Sequence, residues 1–320
     1  MDTIHFKLNI KHFDYNDVLN VLQYKLNSNG SFKQAKGLQS KSIYAQHRNW
    51  KFTLTDYNLI GKGSITKFYY GHNVKNICFE DLQLALLQLQ TVLEVDLTNA
   101  EITRVDIGFN LIMSKPVFNY LPLLVCPKGF KDFNVTNETR EFRGKGQGLI
   151  FYDKIKEAGK RKIPKGYRPL NLLRYELKCE KALLKEIASG HLTFGELYNE
   201  NLYESFVNTW FNRFLLLSTV SSSITSKINY SSVTSWKCSL ASMAIQTLGG
   251  VDFVNQLIMT NCVNPKVKHD VKEALKKMNI TSDPGAPFFE ELRQKIAVEY
   301  CRQLPDRFSY IDYEDTEELA

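Results

Sequence analysis

Three segments far apart in the chain alternate apolar and polar residues with a period of two, and this constrains the fold more than any other feature. In residues 3–11, Ile4, Phe6, Leu8 and Ile10 fall on one side, and His5, Lys7, Asn9 and Lys11 on the other. In Glu101–Met113, Val105, Ile107, Phe109 and Leu111 oppose Arg104, Asp106, Gly108 and Asn110. In Leu172–Lys178, Leu173, Tyr175 and Leu177 oppose Arg174, Glu176 and Lys178. Strands sharing one sheet must turn their apolar faces the same way, because a slip of one residue reverses the whole set. His5, Arg104, Asp106 and Glu176 then converge on the other face. The fold class that follows is α+β: an antiparallel sheet with helices on one face.

The remaining segments fill in that plan. A helix is expected to begin at Asp14 or Asn16, to carry Val18, Leu19, Val21, Leu22 and Leu26, and to stop at Asn29-Gly30. Ser42–Arg48, Trp50–Tyr57 and Ser64–Tyr70 read as a meander of strands, with Asn58 and Gly61-Lys62-Gly63 as turns. Leu82, Leu86, Leu89 and Leu93 recur at helical spacing within residues 79–95, and 199–217 reads as an aromatic-rich helix. Ser218–Ser235 has 11 Ser/Thr in 18 residues and is the linker candidate. Helices are expected beyond it at 237–248, near 251–258, at 265–278 and at 287–303, ending in an acidic tail at Asp312–Glu318.

Chemistry concentrates in Gly144–Glu157, GKGQGLIFYDKIKE. The run Leu149–Phe151 reads as a strand from which Tyr152 emerges, and Asp153 is placed to cap a helix carrying Lys154 and Lys156. Two ammonium groups near a phenol would favour the phenolate and attract a phosphodiester, so a tyrosine nucleophile and a DNA backbone can meet there. The same pattern also suits a half-buried aromatic at a strand end. Two carboxylates converging on the polar face, Asp106 and Glu176, would offer hard oxygen ligands for Mg²⁺ or Mn²⁺. Equally, Arg104–Asp106 and Arg174–Glu176 would form salt-bridged rows on a sheet face.

Charge narrows the function classes. The chain of 320 residues carries a net +7, while Arg140–Lys185 alone holds 14 Lys/Arg against 5 Asp/Glu, so the remainder sums to −2. A basic segment interleaved with Phe142, Phe151, Tyr152, Tyr167 and Tyr175 suits phosphate contact with base stacking. The six cysteines form no close pair, which argues against a metal knuckle or a disulfide framework and for a reducing cytoplasm. No secretory signal or membrane-length apolar run is evident, so a soluble protein without a membrane partner is expected.

Five stretches together resemble the replication initiation proteins of the phage and plasmid gene II/X type, related to the Rep proteins of rolling-circle replication. They are KGLQSKSIY (36–44), GKGSITKFYYGHN (61–73), TRVDIGFNL (103–111), LIFYDKIKE (149–157) and LLRYELK (172–178), in the family's order. The resemblance implies a nicking and joining endonuclease similar in fold to HUH endonucleases, in which a metal-bearing sheet presents a tyrosine to single-stranded DNA. It would make Tyr152 the nucleophile assisted by Lys154 and Lys156, and Asp106 and Glu176 ligands for Mg²⁺ or Mn²⁺. The six histidines are isolated and form no His-hydrophobic-His triplet. Arg104, Arg143, Lys145, Lys160, Arg161, Lys162 and Arg174 are the expected DNA contacts. The implied partners are single-stranded and origin DNA, with host replication proteins such as a helicase beside them. Residues 1–217 would form the nicking domain, 218–235 a linker and 236–320 a helical region for origin binding. The rival reading is a DNA-binding initiator or regulator without catalysis.

Overall fold

The computed structural model describes residues 1–26, 33–34, 42–219 and 286–304. Its strands are β1 (Thr3–Asn9), β2 (Lys33–Gln34), β3 (Ile43–His47), β4 (Trp50–Leu54), β5 (Asn58–Ser64), β6 (Glu101–Met113), β7 (Leu124–Val125), β8 (Lys131–Val135), β9 (Thr139–Gly144), β10 (Gln147–Asp153), β11 (Asn171–Glu180) and β12 (Ser218–Thr219). Ten of them make one sheet in the order β2-β3-β4-β5-β1-β6-β11-β10-β9-β8, while β7 pairs with β12. All of the pairings are antiparallel. The α+β class expected from the alternation is therefore the one observed, and the three alternating segments lie side by side as β1, β6 and β11.

The helices are α1 (Tyr15–Asn20), α2 (Ile65–Tyr70), α3 (Phe79–Leu93), α4 (Lys154–Ala158), α5 (Lys181–Ile187), α6 (Glu200–Leu215) and α7 (Ala286–Gln303). The main core lies on the apolar face of the sheet. Ile4, Phe6, Leu8, Val105, Ile107, Phe109, Leu173, Tyr175 and Leu177 are buried there with Leu82, Leu86 and Leu89 of α3 and Phe206, Trp210 and Phe214 of α6. Phe151 stacks on Tyr175 at 4.4 Å between ring centroids, and Phe109 meets Trp210 edge-on at 4.9 Å. Tyr175 Oη donates to the Trp210 carbonyl at 3.1 Å, so the ring's polar end is satisfied inside the core. Helix α7 adds Leu292 and Ile296 to this same core, so this piece of the expected C-terminal region is packed on the N-terminal domain.

A second, small cluster of Val74, Ile155, Ile163 and Leu172 forms beside α4. Leu172 precedes core-facing Leu173, so alternation along β11 puts this cluster on the opposite, polar face. It covers one end of that face.

Two expectations are corrected. Ser64–Tyr70 is not a strand: Ser64 caps α2 by accepting from Lys67 N at 3.1 Å, and Gly71, at φ +79°, ends it. Ile65 and Phe68, three residues apart, then share the buried side. Asn58 and the glycines expected as turns instead lie in β5, because Phe6 and Trp50 need the space that Gly61 and Gly63 leave. A Cβ on Gly61 would stand 2.3 Å from the Phe6 ring, and one on Gly63 2.6 Å from the Trp50 ring. The hairpin of β8 and β9 was not expected at all. The expected helices between 237 and 278, the acidic tail and most of the Ser/Thr-rich linker lie outside the described residues.

Gly61→Ala should lower unfolding free energy by about 1–3 kcal/mol through overpacking against Phe6. Gly190→Ala, with nothing within 4 Å of the new methyl, should be neutral or mildly stabilising. Urea denaturation of both variants checks the contrast.

Candidate functional site

The polar face of the sheet is laid out in rungs by the strand register. Tyr152 of β10 is opposite Arg174 of β11, which is opposite Asn110 of β6. The next rung holds Ile150, Glu176 and Gly108, and the one after it Gly148, Lys178 and Asp106. Tyr152, Glu176 and Asp106 thus lie on a diagonal across three neighbouring strands.

Arg174 ties this face together although it is only 1% exposed. Its Nε donates to Glu176 Oε1 at 2.7 Å and its Nη2 to Asp2 Oδ2 at 2.6 Å, while Nη1 reaches Asn110 Oδ1 at 3.2 Å. Asp2, just before β1, also accepts from the Ser64 hydroxyl and from Asn73 Nδ2 at 3.4 Å. Asn110 Nδ2 in turn donates to the carbonyls of Asn73 and Val74, both at 2.9 Å. Gly108 makes room for the guanidinium: a Cβ there would lie 2.4 Å from Glu176 Cγ and 2.9 Å from Arg174 Nη2. Burial opposes the charges, but Asp2 and Glu176 raise the pKa of Arg174 above its ordinary value, and Arg174 pulls Asp2 below its own.

Tyr152, 9% exposed, donates its phenolic hydrogen to Glu176 Oε1 at 3.0 Å. That is the same oxygen that Arg174 Nε holds. Asp153 caps α4 as expected, accepting from Ile155 N at 3.0 Å and Lys156 N at 3.1 Å. The cap delivers only one of the two lysines to the tyrosine. Lys154 Nζ is 5.4 Å from the Tyr152 ring centroid and paired with Glu157 at 2.6 Å, whereas Lys156 turns to Glu138 at 3.1 Å. The electrostatic expectation is therefore reversed: burial first, then Glu176, pushes the Tyr152 phenol well above its usual value. Burial, seconded by Arg174, lowers the pKa of Lys154.

The carboxylates expected to hold a metal are occupied by arginines. Arg104 grips Asp106 with both Nε and Nη2, at 2.7 and 2.6 Å, and Glu176 has the contacts already described. Burial pushes the Asp106 carboxyl up to about 6, while Arg104 pulls the other way. Among the described residues, no group of three or more His, Cys, Asp and Glu is placed to hold a metal ion. In this structure these side chains form the salt-bridged rows, Asp106 with Arg104 and Glu176 with Arg174.

The expected DNA contacts divide by exposure. Arg174 is internal and is removed from that group. Arg104 is partly exposed beside Asp106, and Arg143 is half-exposed, bonded to Glu141 at 2.9 Å and stacked 3.1 Å over the Phe133 ring. Lys145, Arg161 and Lys162 are exposed; the side chain of Lys160 is not among those described. Asp2, Ser64 and Asn73 were missed as members of the network. Ser64 and Asn73, both within the GKGSITKFYYGHN motif, carried a sequence signal, and Asp2 carried none.

The family model for the N-terminal region of the phage replication-associated protein of gene II type matches residues 1–201. The chain belongs to this phage replication family. No curated protein matches it. The matched span contains β1–β11, and with them Tyr152, Glu176, Asp106 and Arg174. Membership makes the protein a phage-type replication initiator and gives it DNA as a partner. Among the described residues, no helix is long and apolar enough to cross a membrane.

Replacing Arg174 by Met should destabilise the protein by about 3–5 kcal/mol, because it leaves Asp2 and Glu176 buried without their shared cation. Chemical denaturation at neutral pH reads this directly.

Proposed function

We propose that this initiator nicks and rejoins one DNA strand through Tyr152. The observation that carries the reading is the hydrogen bond from Tyr152 Oη to Glu176 Oε1 at 3.0 Å, on the face of the sheet opposite the main core. A phenol whose pKa is raised does not ionise by itself near neutral pH, so it needs a base in contact. Glu176 is that base. As Oη attacks phosphorus in line, its proton passes to Glu176, the new Oη–P bond forms and the P–O3′ bond breaks. The 3′ oxygen leaves with the electron pair and takes a proton from water. A 5′-phosphotyrosine and a free 3′-OH result. One phosphodiester replaces another, so attack by a 3′-OH on the phosphotyrosine rejoins the strand without an external energy source.

The surrounding cations serve the same step. Arg174 holds the accepting oxygen of Glu176 in place, and its charge lowers the cost of placing an anion at Tyr152. Lys154, beside the ring, adds to that field. No step is assigned to a metal, because Asp106 and Glu176 are paired with arginines.

Tyr152→Phe should abolish the denaturation-resistant adduct with an origin oligonucleotide and leave affinity within a few-fold, since only the nucleophilic oxygen is lost. Glu176→Gln should slow adduct formation by about 10²-fold or more with little loss of binding, the usual magnitude for removing a general base. An adduct that survives in Tyr152→Phe would move the nucleophile elsewhere. Absence of any adduct with wild-type protein and cognate DNA, in Mg²⁺ and in Mn²⁺, would favour an initiator that only binds. Adduct formation in a chelator distinguishes the Tyr152–Glu176 reaction from one that requires a metal.

A further inference from the structure

The half of the polar face remote from Tyr152 carries a charge pattern that folding alone does not favour. Lys51 of β4 is directly opposite Lys62 of β5, Lys62 is opposite His5 of β1, and His5 is opposite Arg104 of β6. Four neighbouring strands thus present a row of cationic or basic side chains on one rung. Like charges directly opposed across an antiparallel pair are destabilising. Of the row, Arg104 at the inner end has acids beside it, Asp106 on its own strand and Glu180 opposite it on β11. Among the described residues no ion pair is made by Lys51 or Lys62, and both are exposed. With strands about 4.8 Å apart, three gaps make the row roughly 14 Å long.

The adjacent rung supplies a different surface. Lys7 of β1 is opposite Ile60 of β5, Ile60 opposite Thr53 of β4, and Thr53 opposite Tyr44 of β3. Ile60 is 37% and Tyr44 42% exposed. A cationic rung beside an exposed apolar and aromatic rung is the combination that holds a single strand, with phosphates on the lysines and bases against the flat side chains. The row is also separate from the tyrosine. Glu180, opposite Arg104, is six residues along β11 from Arg174, opposite Tyr152, a distance of about 20 Å at 3.3 Å per residue.

We propose that the β3–β4–β5–β1 end of the polar face is a second single-stranded DNA site, in which Lys51, Lys62 and Arg104 contact phosphates and Tyr44 and Ile60 contact bases. It grips the strand away from the tyrosine. An enzyme that cuts a strand and later rejoins it must keep both ends, and a site distinct from the covalent one holds what the phosphotyrosine does not.

The test reads binding, so it stands apart from the fate of Tyr152. In the full-length chain, Lys51→Gln/Lys62→Gln is compared with wild type on an oligothymidylate strand long enough to span the sheet. Losing two phosphate contacts should flatten the slope of log affinity against log salt by about 1.4, at roughly 0.7 per contact for single strands. Thermal stability should be unchanged or raised, because the opposed charges are gone. Tyr44→Ala should weaken binding by roughly tenfold, within the range of one lost base stack, and leave the slope as it was. A double variant that is folded and keeps the wild-type slope overturns the proposal. So does a slope that flattens on duplex DNA and not on the single strand, which would make the row a duplex contact.

Discussion

Everything on the polar face depends on one buried guanidinium. Arg174 bridges an acid that precedes β1, an acid on its own strand and an amide on β6, so it joins the segment before β1 to two strands of the sheet, β11 and β6. An unpaired cation could not stay in such a place, and neither could Asp2 without it. A buried ion cluster of this kind is a poor source of net stability compared with an apolar core of equal volume. What it supplies is direction: Arg174 and the Tyr152 hydroxyl converge on one oxygen of Glu176, which leaves that carboxylate little freedom to turn. Gly108 belongs to the same device, since any side chain there would displace both Glu176 and Arg174.

The two faces of the sheet were legible to very different degrees. The apolar face was readable because alternation is a local property: Val105, Ile107 and Phe109, or Leu173, Tyr175 and Leu177, announce their side without reference to any partner. Rung by rung assignment on the polar face was not, because register depends on pairings between distant segments. Nothing local in β11 says that Arg174 stands opposite Tyr152. Asp2 carried no signal at all, as it precedes the strand whose pattern was read. Alternation also failed where caps outweighed it, at Ser64 and Gly71 around α2. It had nothing to report in β8, whose five residues are all exposed.

The tyrosine's setting corrects a common intuition about activated phenols. Proximity of Lys154 and Lys156 in sequence suggested a phenolate stabilised in advance. In the structure Lys156 faces Glu138 and the buried phenol faces a carboxylate. A permanently ionised tyrosine there would be expensive to maintain and would need to be shielded from water. In the reaction proposed for Tyr152, a neutral phenol in contact with Glu176 would ionise only when a phosphate is present to receive the oxygen, so charge would develop in the transition state, where it is useful.

The basic segment shows why net charge per stretch is a weak guide to a binding surface. Of the cations between Arg140 and Lys185, Arg174 is internal, Lys154 is 1% exposed at its side chain, and Arg143 and Lys178 share Glu141. Arg140 is paired with Asp132 at 3.1 Å. Six of the fourteen cations, Arg140, Arg143, Lys154, Lys156, Arg174 and Lys178, thus face the protein's own acids. Lys51 and Lys62 lie in a stretch with no conspicuous charge, yet they are exposed and opposed to each other. What decides whether a lysine meets DNA is not how many others follow it in sequence but whether the fold has already given it an acid. By that criterion Lys51 and Lys62 on β4 and β5 stand beside Lys145, Arg161 and Lys162 of the basic run as candidates for phosphate contact, all of them exposed.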